Sequence, residues 1–267
     1  MKNWAKSLLI DFINIDFHNF KSIQIVLDAW TNQVFEVVDI INLSWYIRIK
    51  IKKGNTLEHY LFTKFFKGYF YYDQQSHHLI SQKINVKKPY VINEWFMANV
   101  IHNIKELQTL TINKKIKIKD FDYLSYLPLV KDDPLASYFK SIYEQEVKRT
   151  KLVLAHNDFS INNILANECE NLFILIDFEY SSRNLKDWDL FNFLRDLNDV
   201  QLNFGISFIK EKLGYDECLI YKYLFLTSYY GFLWSTNAFL KTNELKIKIY
   251  GENAYQKADF YLQKLNK

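Results

Sequence analysis

A chain of 267 residues with 49% hydrophobic and 24% charged side chains has the make-up of a folded globular protein, long enough for one large domain or two lobes. Its 34 basic and 30 acidic residues leave a net charge of +4, too balanced for a nucleic-acid binder, and the basic run at residues 114–119 reads as solvated surface. Cys169 and Cys218 stand far apart, which excludes a disulfide framework and paired zinc ligands and suits a reducing, cytoplasmic setting.

The first residues, MKNWAKSLLIDFINIDF, carry Asp11 and Asp16 where the apolar core of an export signal would lie. Residues 23–52 read as three strands, IQIVLDA, QVFEVVDI and WYIRIKIK, the last after a polar INLS turn. In the third strand Ile47, Ile49 and Ile51 alternate with Arg48, Lys50 and Lys52, so one face is buried and Arg48 points away from the core. TLEHYLFTKFFKGY is helical, with Leu57, Leu61 and Phe65 at four-residue steps, and FYYDQQSHHLISQKI closes the sheet as a hairpin. These elements make an N-terminal lobe, residues 1–85. From Asn93 the pattern turns to long helices: NEWFMANVIHNIKELQTL, PLASYFKSIYEQEVKR, a segment over residues 188–198 and two more after Phe204. This second lobe, residues 86–267, is mainly α, so the fold class is α+β with two lobes.

Residues 223–240, YLFLTSYYGFLWSTNAFL, are free of charge, which raises the question of a membrane span. Thr227, Ser228, Ser235, Thr236, Asn237 and three tyrosines make this stretch a poor spanning helix and a good buried one. The aromatic content, 18% of the chain, reads mainly as a coding bias, since Lys, Asn, Ile, Phe and Tyr all abound while Arg is confined to positions 48, 149, 183 and 195.

Two short apolar strands interrupt the helical half, and each ends in a polar cluster: KLVLA before His156, Asp158 and Asn163, then LFILI before Asp177 and Glu179. Phosphoryl transfer needs a carboxylate to orient the attacking hydroxyl and oxygen ligands to hold magnesium on the phosphates. A carboxylate just after one strand, an Asn five residues on, and a carboxylate ending the next strand can converge on one point. Downstream, Asp189, Asn192 and Asp196 in DWDLFNFLRD share a helical face, either an acidic surface for a ligand or a solvated one.

HNDFSINNIL, followed by LIDFEYSS and DWDLFNFLRD, resembles the choline/ethanolamine kinases, within the wider aminoglycoside phosphotransferase and protein-kinase-like group. The resemblance implies a protein-kinase-like two-lobed fold and ATP- and Mg2+-dependent phosphorylation of an alcohol. It implies Asp158 as catalytic base, His156 as support for the loop, Asn163 and Asp177 as magnesium ligands, and Glu179 as a further metal or water ligand. In the N-terminal half it implies nucleotide contacts from Thr31 and Asn32, from Arg48 (with Lys50 as the alternative) paired to Glu58, and from a hinge at Gln82 and Ile84. The helix at residues 223–240 resembles the Trp-bearing segment that lines the acceptor pocket, where aromatic faces hold a quaternary ammonium by cation–π attraction. Trp234, Tyr230, Tyr180 and Tyr250, with Tyr255 as a further candidate, are the implied cage, and Asp196 the implied carboxylate. A second family tryptophan falls here on Gly231, and Arg183 stands where relatives carry an aromatic. The expected acceptor is choline, with ethanolamine, thiamine or an aminoglycoside as alternatives.

Overall fold

The computed structural model describes residues 20–26, 33–39, 41–49, 56–72 and 78–266. The chain opens with an antiparallel sheet of β1 (Phe20–Val26), β2 (Gln33–Asp39), β3 (Ser44–Ile49), β4 (Phe70–Tyr72) and β5 (Leu79–Gln82), in the spatial order β1-β2-β3-β5-β4. Helix α1 (Thr56–Phe65) comes between β3 and β4. Phe35, Ile47 and Ile80 stand opposite one another in neighbouring strands and bury together with Val37 on one face. Leu79, opposite Arg48, instead joins the cluster that contains Leu57, Leu61 and Phe65 of α1. The expectation that Arg48 points away from the core is therefore corrected. Period-two alternation separates Ile47 from Arg48 as read, but the second face is covered too, and Arg48 is only 9% exposed.

The second half is built from α2 (Glu94–Thr109), α3 (Pro134–Arg149), α4 (Trp188–Arg195), α5 (Asp199–Leu213), α6 (Glu217–Thr242) and α7 (Leu245–Leu265). Side-chain caps start several of them: Asn93 accepts the Phe96 N–H, Asp133 that of Leu135, Asn198 that of Gln201 and Asp216 that of Leu219. The region after Trp188 holds one helix more than read, because Asn198 restarts the chain as a cap while Gly214 (φ 71°) and Asn243 (φ 55°) end helices in the left-handed conformation. α6 is buried on most sides, and among the described residues no helix is long and apolar enough to cross a membrane.

Four short strands sit among these helices. β6 (Val153–Ala155) pairs with β9 (Ser182–Asn184), and β7 (Ile164–Asn167) forms a hairpin with β8 (Leu172–Leu175). Trp188, Phe191 and Phe193 of α4 are fully buried against this layer and the helices around it. The loop from β6 to β7 and the turn from β8 to β9 thus emerge side by side from a rigid support.

Candidate active site

The β6–β7 loop carries His156, Asp158 and Asn163, and its shape is fixed by side chains that satisfy its backbone. The Asp189 carboxylate, on α4, accepts the N–H of His156 at 2.7 Å and of Asn157 at 2.8 Å. Burial pushes Asp189 up to about 6, and the two backbone bonds oppose that rise. Asn192, one turn along, donates to the Phe159 carbonyl at 3.4 Å. The polar side of α4 therefore grips the loop, rather than lining solvent as one of the two sequence readings had it. Asn157 adopts φ 65°, which an Asn tolerates, and its amide bonds to the Tyr180 carbonyl, Ser182 and Asn184. Asn184 also accepts the Tyr143 hydroxyl at 2.5 Å, so the network reaches α3.

His156 is enclosed. Its Nε2–H donates to the Ile176 carbonyl at 2.9 Å while Nδ1 accepts the Asp158 N–H at 3.3 Å. Burial lowers its pKa to about 4, so the ring is neutral with the proton on Nε2, and it bridges the β6–β7 loop to the residue that follows β8. Ile176 N–H in turn donates to the Asn163 carbonyl at 3.0 Å, a second tie between the two segments.

Asp158 is half-buried, and Asn163 Nδ2 donates both to its Oδ2 at 2.7 Å and to its carbonyl at 2.8 Å. Desolvation raises the Asp158 pKa to about 7. Asp177 adds to the rise and, more weakly, Asp196 does too, while the Asn163 bond and Arg195 oppose it. Asp177 follows β8 at φ 64°, a conformation a non-glycine residue holds only where its surroundings impose it. Its Oδ1 receives Arg48 Nη1 at 2.9 Å, and Arg48 Nη2 meets Glu58 at 2.5 Å. Burial disfavours the Arg48 cation, but Asp177, Glu58 and Glu179 outweigh it and raise its pKa. The N-terminal sheet is thereby joined to the loop after β8.

Asn163 and Asp177 offer hard oxygen donors next to Asp158, with Glu179 two residues further on. Among the described residues no group of three or more His, Cys, Asp or Glu side chains forms a closed cage. Magnesium fits such a set, because it is held through one or two carboxylates plus phosphate and water oxygens.

On the other side of Asp158 the expected acceptor residues come together. Trp234 lies edge-on to Tyr250, ring centres 6.1 Å apart at 89°, and close to the Tyr180 hydroxyl. Tyr250 lies within electrostatic reach of Arg195, Asp196 and Asp158. Tyr230 packs on Phe121 and Trp188, and Tyr126, unforeseen in the sequence, stands 6.1 Å from it. Tyr255 is set apart: its hydroxyl donates to Asp133, the cap of α3, and its ring packs on Phe232. Arg183 pairs with Asp120 at 2.7 Å, half-exposed on the edge of β9. At the hinge, Gln82 ends β5 opposite Trp45 and exchanges hydrogen bonds with Tyr69, while Ile84 packs against Gly68. Thr31, Asn32 and Lys50 lie outside the described residues.

An antiparallel sheet with one helix, a helical second half, and a carboxylate loop fixed between them define the protein-kinase-like phosphotransferase class. The sequence model of the choline/ethanolamine kinase family matches residues 75–229, more than half of the chain, and the chain belongs to that family. A probable ethanolamine kinase of Arabidopsis thaliana is 27% identical over 115 residues, an alignment that spans 43% of this chain and 29% of that protein. The Plasmodium vivax ethanolamine kinase superposes with a TM-score of 0.69 at 18% identity, covering 98% of this chain and 89% of that one. Choline kinase from Cryptosporidium parvum superposes at 0.66 and 16% identity, covering 99% and 95%.

Proposed function

We propose that the chain transfers the γ-phosphoryl group of ATP to the hydroxyl of a small amino alcohol, with Asp158 as the base that orients the hydroxyl and accepts its proton. The observation that carries this reading is the setting of Asp158. It is a half-buried carboxylate on a loop held by Asn163, His156 and Asp189, between the oxygen donor Asp177 and the aromatic and acidic side chains of α4, α6 and α7. Phosphoryl transfer asks for positioning and charge more than for covalent chemistry, and this arrangement offers both. A proton affinity near neutral suits an acceptor that must take a proton and later release it.

Asn163 and Asp177, with Glu179 beside them, would hold magnesium, which when bound neutralises charge on the transferred phosphoryl group. Arg48 would meet the nucleotide phosphates through Nη1, the nitrogen that now holds Asp177, while Glu58 keeps its orientation. The hinge at Gln82 and Ile84 would offer backbone groups to adenine, and Thr31 and Asn32 are assigned to the phosphate loop.

Two acceptors fit. Choline is supported by the ring faces of Trp234, Tyr250, Tyr230 and Tyr180. Ethanolamine is supported by the buried Arg195 cation at the same place, and it is also the substrate named for two of the relatives. A coupled ADP-release assay with choline, ethanolamine, thiamine and kanamycin tests the reading, with Asp158→Asn as background. Turnover is expected with an amino alcohol and not with kanamycin. No release above background with either choline or ethanolamine refutes it.

A further inference from the structure

Arg195 ends α4 and carries its guanidinium into the space beside Asp158, where only 10% of the side chain is exposed. Nη1 donates to the Thr227 carbonyl of α6. Nε lies 3.4 Å from Asp196 Oδ1 yet makes no hydrogen bond. Tyr250, Asp196, Asp158 and Tyr230 all lie within electrostatic reach of the cation. Lys257, on α7, donates to the Arg195 carbonyl at 2.7 Å, so the backbone is anchored as well as the head.

Gly231 makes room for this group. A Cβ at position 231 would stand 2.8 Å from Arg195 Nη1, 3.4 Å from its Cζ and 3.1 Å from the Tyr250 hydroxyl. A side chain there would force the guanidinium to shift from its present place. Tyr250 also meets Trp234 edge-on, so the cation stands beside one member of the aromatic cluster and between the carboxylates suited to an acceptor's ammonium.

We propose that the Arg195 guanidinium is an internal cation of the acceptor site, filling the space a trimethylammonium head would need and restricting the acceptor to an alcohol with a primary ammonium, of which ethanolamine is the type. The inference rests on the amino-alcohol kinase reading above. A guanidinium and a trimethylammonium each carry one positive charge, and both favour aromatic walls with a carboxylate nearby. A second bulky cation would need the volume that the guanidinium already takes. A primary ammonium is compact and donates three hydrogen bonds, so it can lodge at the partly exposed edge of Asp196 beside the guanidinium.

The test begins with the wild-type protein and the series ethanolamine, N-methyl-, N,N-dimethylethanolamine and choline. kcat/KM is expected to fall as methyls are added, by roughly tenfold or more across the series. In Arg195→Ala the choline-to-ethanolamine ratio of kcat/KM should rise by about tenfold or more. Tetramethylammonium should raise the melting temperature of that variant and not of the wild type, and added guanidinium should compete with it. The melting measurement needs no turnover. If neither amino alcohol is phosphorylated yet tetramethylammonium stabilises Arg195→Ala alone, the internal cation stands and the assigned reaction falls. Equal use of ethanolamine and choline by the wild type overturns the inference without any variant, including the case in which Arg195→Ala does not fold. A folded Arg195→Ala with an unchanged ratio and no response to tetramethylammonium also overturns it and makes Arg195 a packing residue.

Discussion

Replacing Asp158 by Asn should inactivate the protein and stabilise it. The carboxylate pKa rises from the ordinary 3.8 to about 7, first through desolvation and then through Asp177. A group whose folded-state pKa is raised favours folding in its protonated form, so its contribution is intact below about 3.8 and is lost as pH climbs through about 7. At about 1.4 kcal/mol per tenfold change in proton binding, the ionised carboxylate costs the folded, metal-free protein about 4 kcal/mol at pH 8, and about 2–4 kcal/mol once its partial exposure is allowed for. An amide keeps the shape and can still accept the Asn163 Nδ2 bond that Oδ2 takes now, so little is lost against that gain. In a chelator and without nucleotide, Asp158→Asn should therefore melt about 4–8 °C above wild type at pH 8, with the difference vanishing near pH 4. Turnover should fall by about a hundredfold or more. Melting curves from pH 4 to pH 8 beside a saturated ADP-release assay measure both. A variant with wild-type melting at pH 8, or with a gain that does not depend on pH, refutes the electrostatic reasoning, and one that keeps a large share of turnover refutes the role as base.

Asp177→Ala should abolish turnover, and raised magnesium should rescue Asn163→Ala better, because a neutral amide contributes less to a divalent site than a carboxylate does. Rate against magnesium concentration checks this, and identical curves for the two variants count against both ligand assignments. Trp234→Leu keeps an apolar side chain but removes the ring face, and should weaken the accepted amino alcohol by about 1–2 kcal/mol, roughly five- to thirtyfold in KM, with the ATP KM unchanged. Early melting with an unaltered acceptor KM would make Trp234 a packing residue only. Asp189→Ala strands the N–H groups of His156 and Asn157 in a dry site and should cost about 2–5 kcal/mol in denaturant unfolding. Wild-type stability in that variant would show that the loop does not depend on α4.

The parts of the molecule that the sequence made legible are those whose chemistry is contiguous in the chain. His156, Asp158 and Asn163 lie on one short loop, Asp177 and Glu179 follow β8, and their motif carries the family resemblance, while the order of strands and helices carries the fold class. Leu57, Leu61 and Phe65 are buried as their periodicity requires. What eluded the sequence depends on what covers a face. Alternation in β3 separates Arg48 from Ile47 but cannot say that α1 and the loop after β8 close over the second face. Asp189 and Asn192 share a helical side with Asp196, and only the docking of the β6–β7 loop turns that side into a backbone clamp. Arg195 left a fainter signal, the one basic residue of its helix together with a glycine next to Tyr230. Those two departures lie far apart in sequence and fill one volume in space.

The polar residues around Asp158 do two different jobs, and burial tells them apart. Asp189, Asn157, Asn184 and His156 are almost wholly enclosed, and each is engaged by backbone or side-chain partners. Such groups would be costly if left unmade, so the network fixes the loop in one shape and leaves little capacity for a ligand. Asp158 and Asp177 are only partly covered. Asp177 holds a left-handed backbone, and its negative charge raises the proton affinity of Asp158. Two carboxylates that repel each other, held by a scaffold whose own polar groups are satisfied, form a site that binding of a cation would relieve. Arg48 already meets part of that demand from the N-terminal sheet, through the nitrogen assigned here to a nucleotide phosphate. The stabilisation expected of Asp158→Asn in a chelator and the magnesium dependence expected of Asn163→Ala are therefore two measurements of one imbalance of charge.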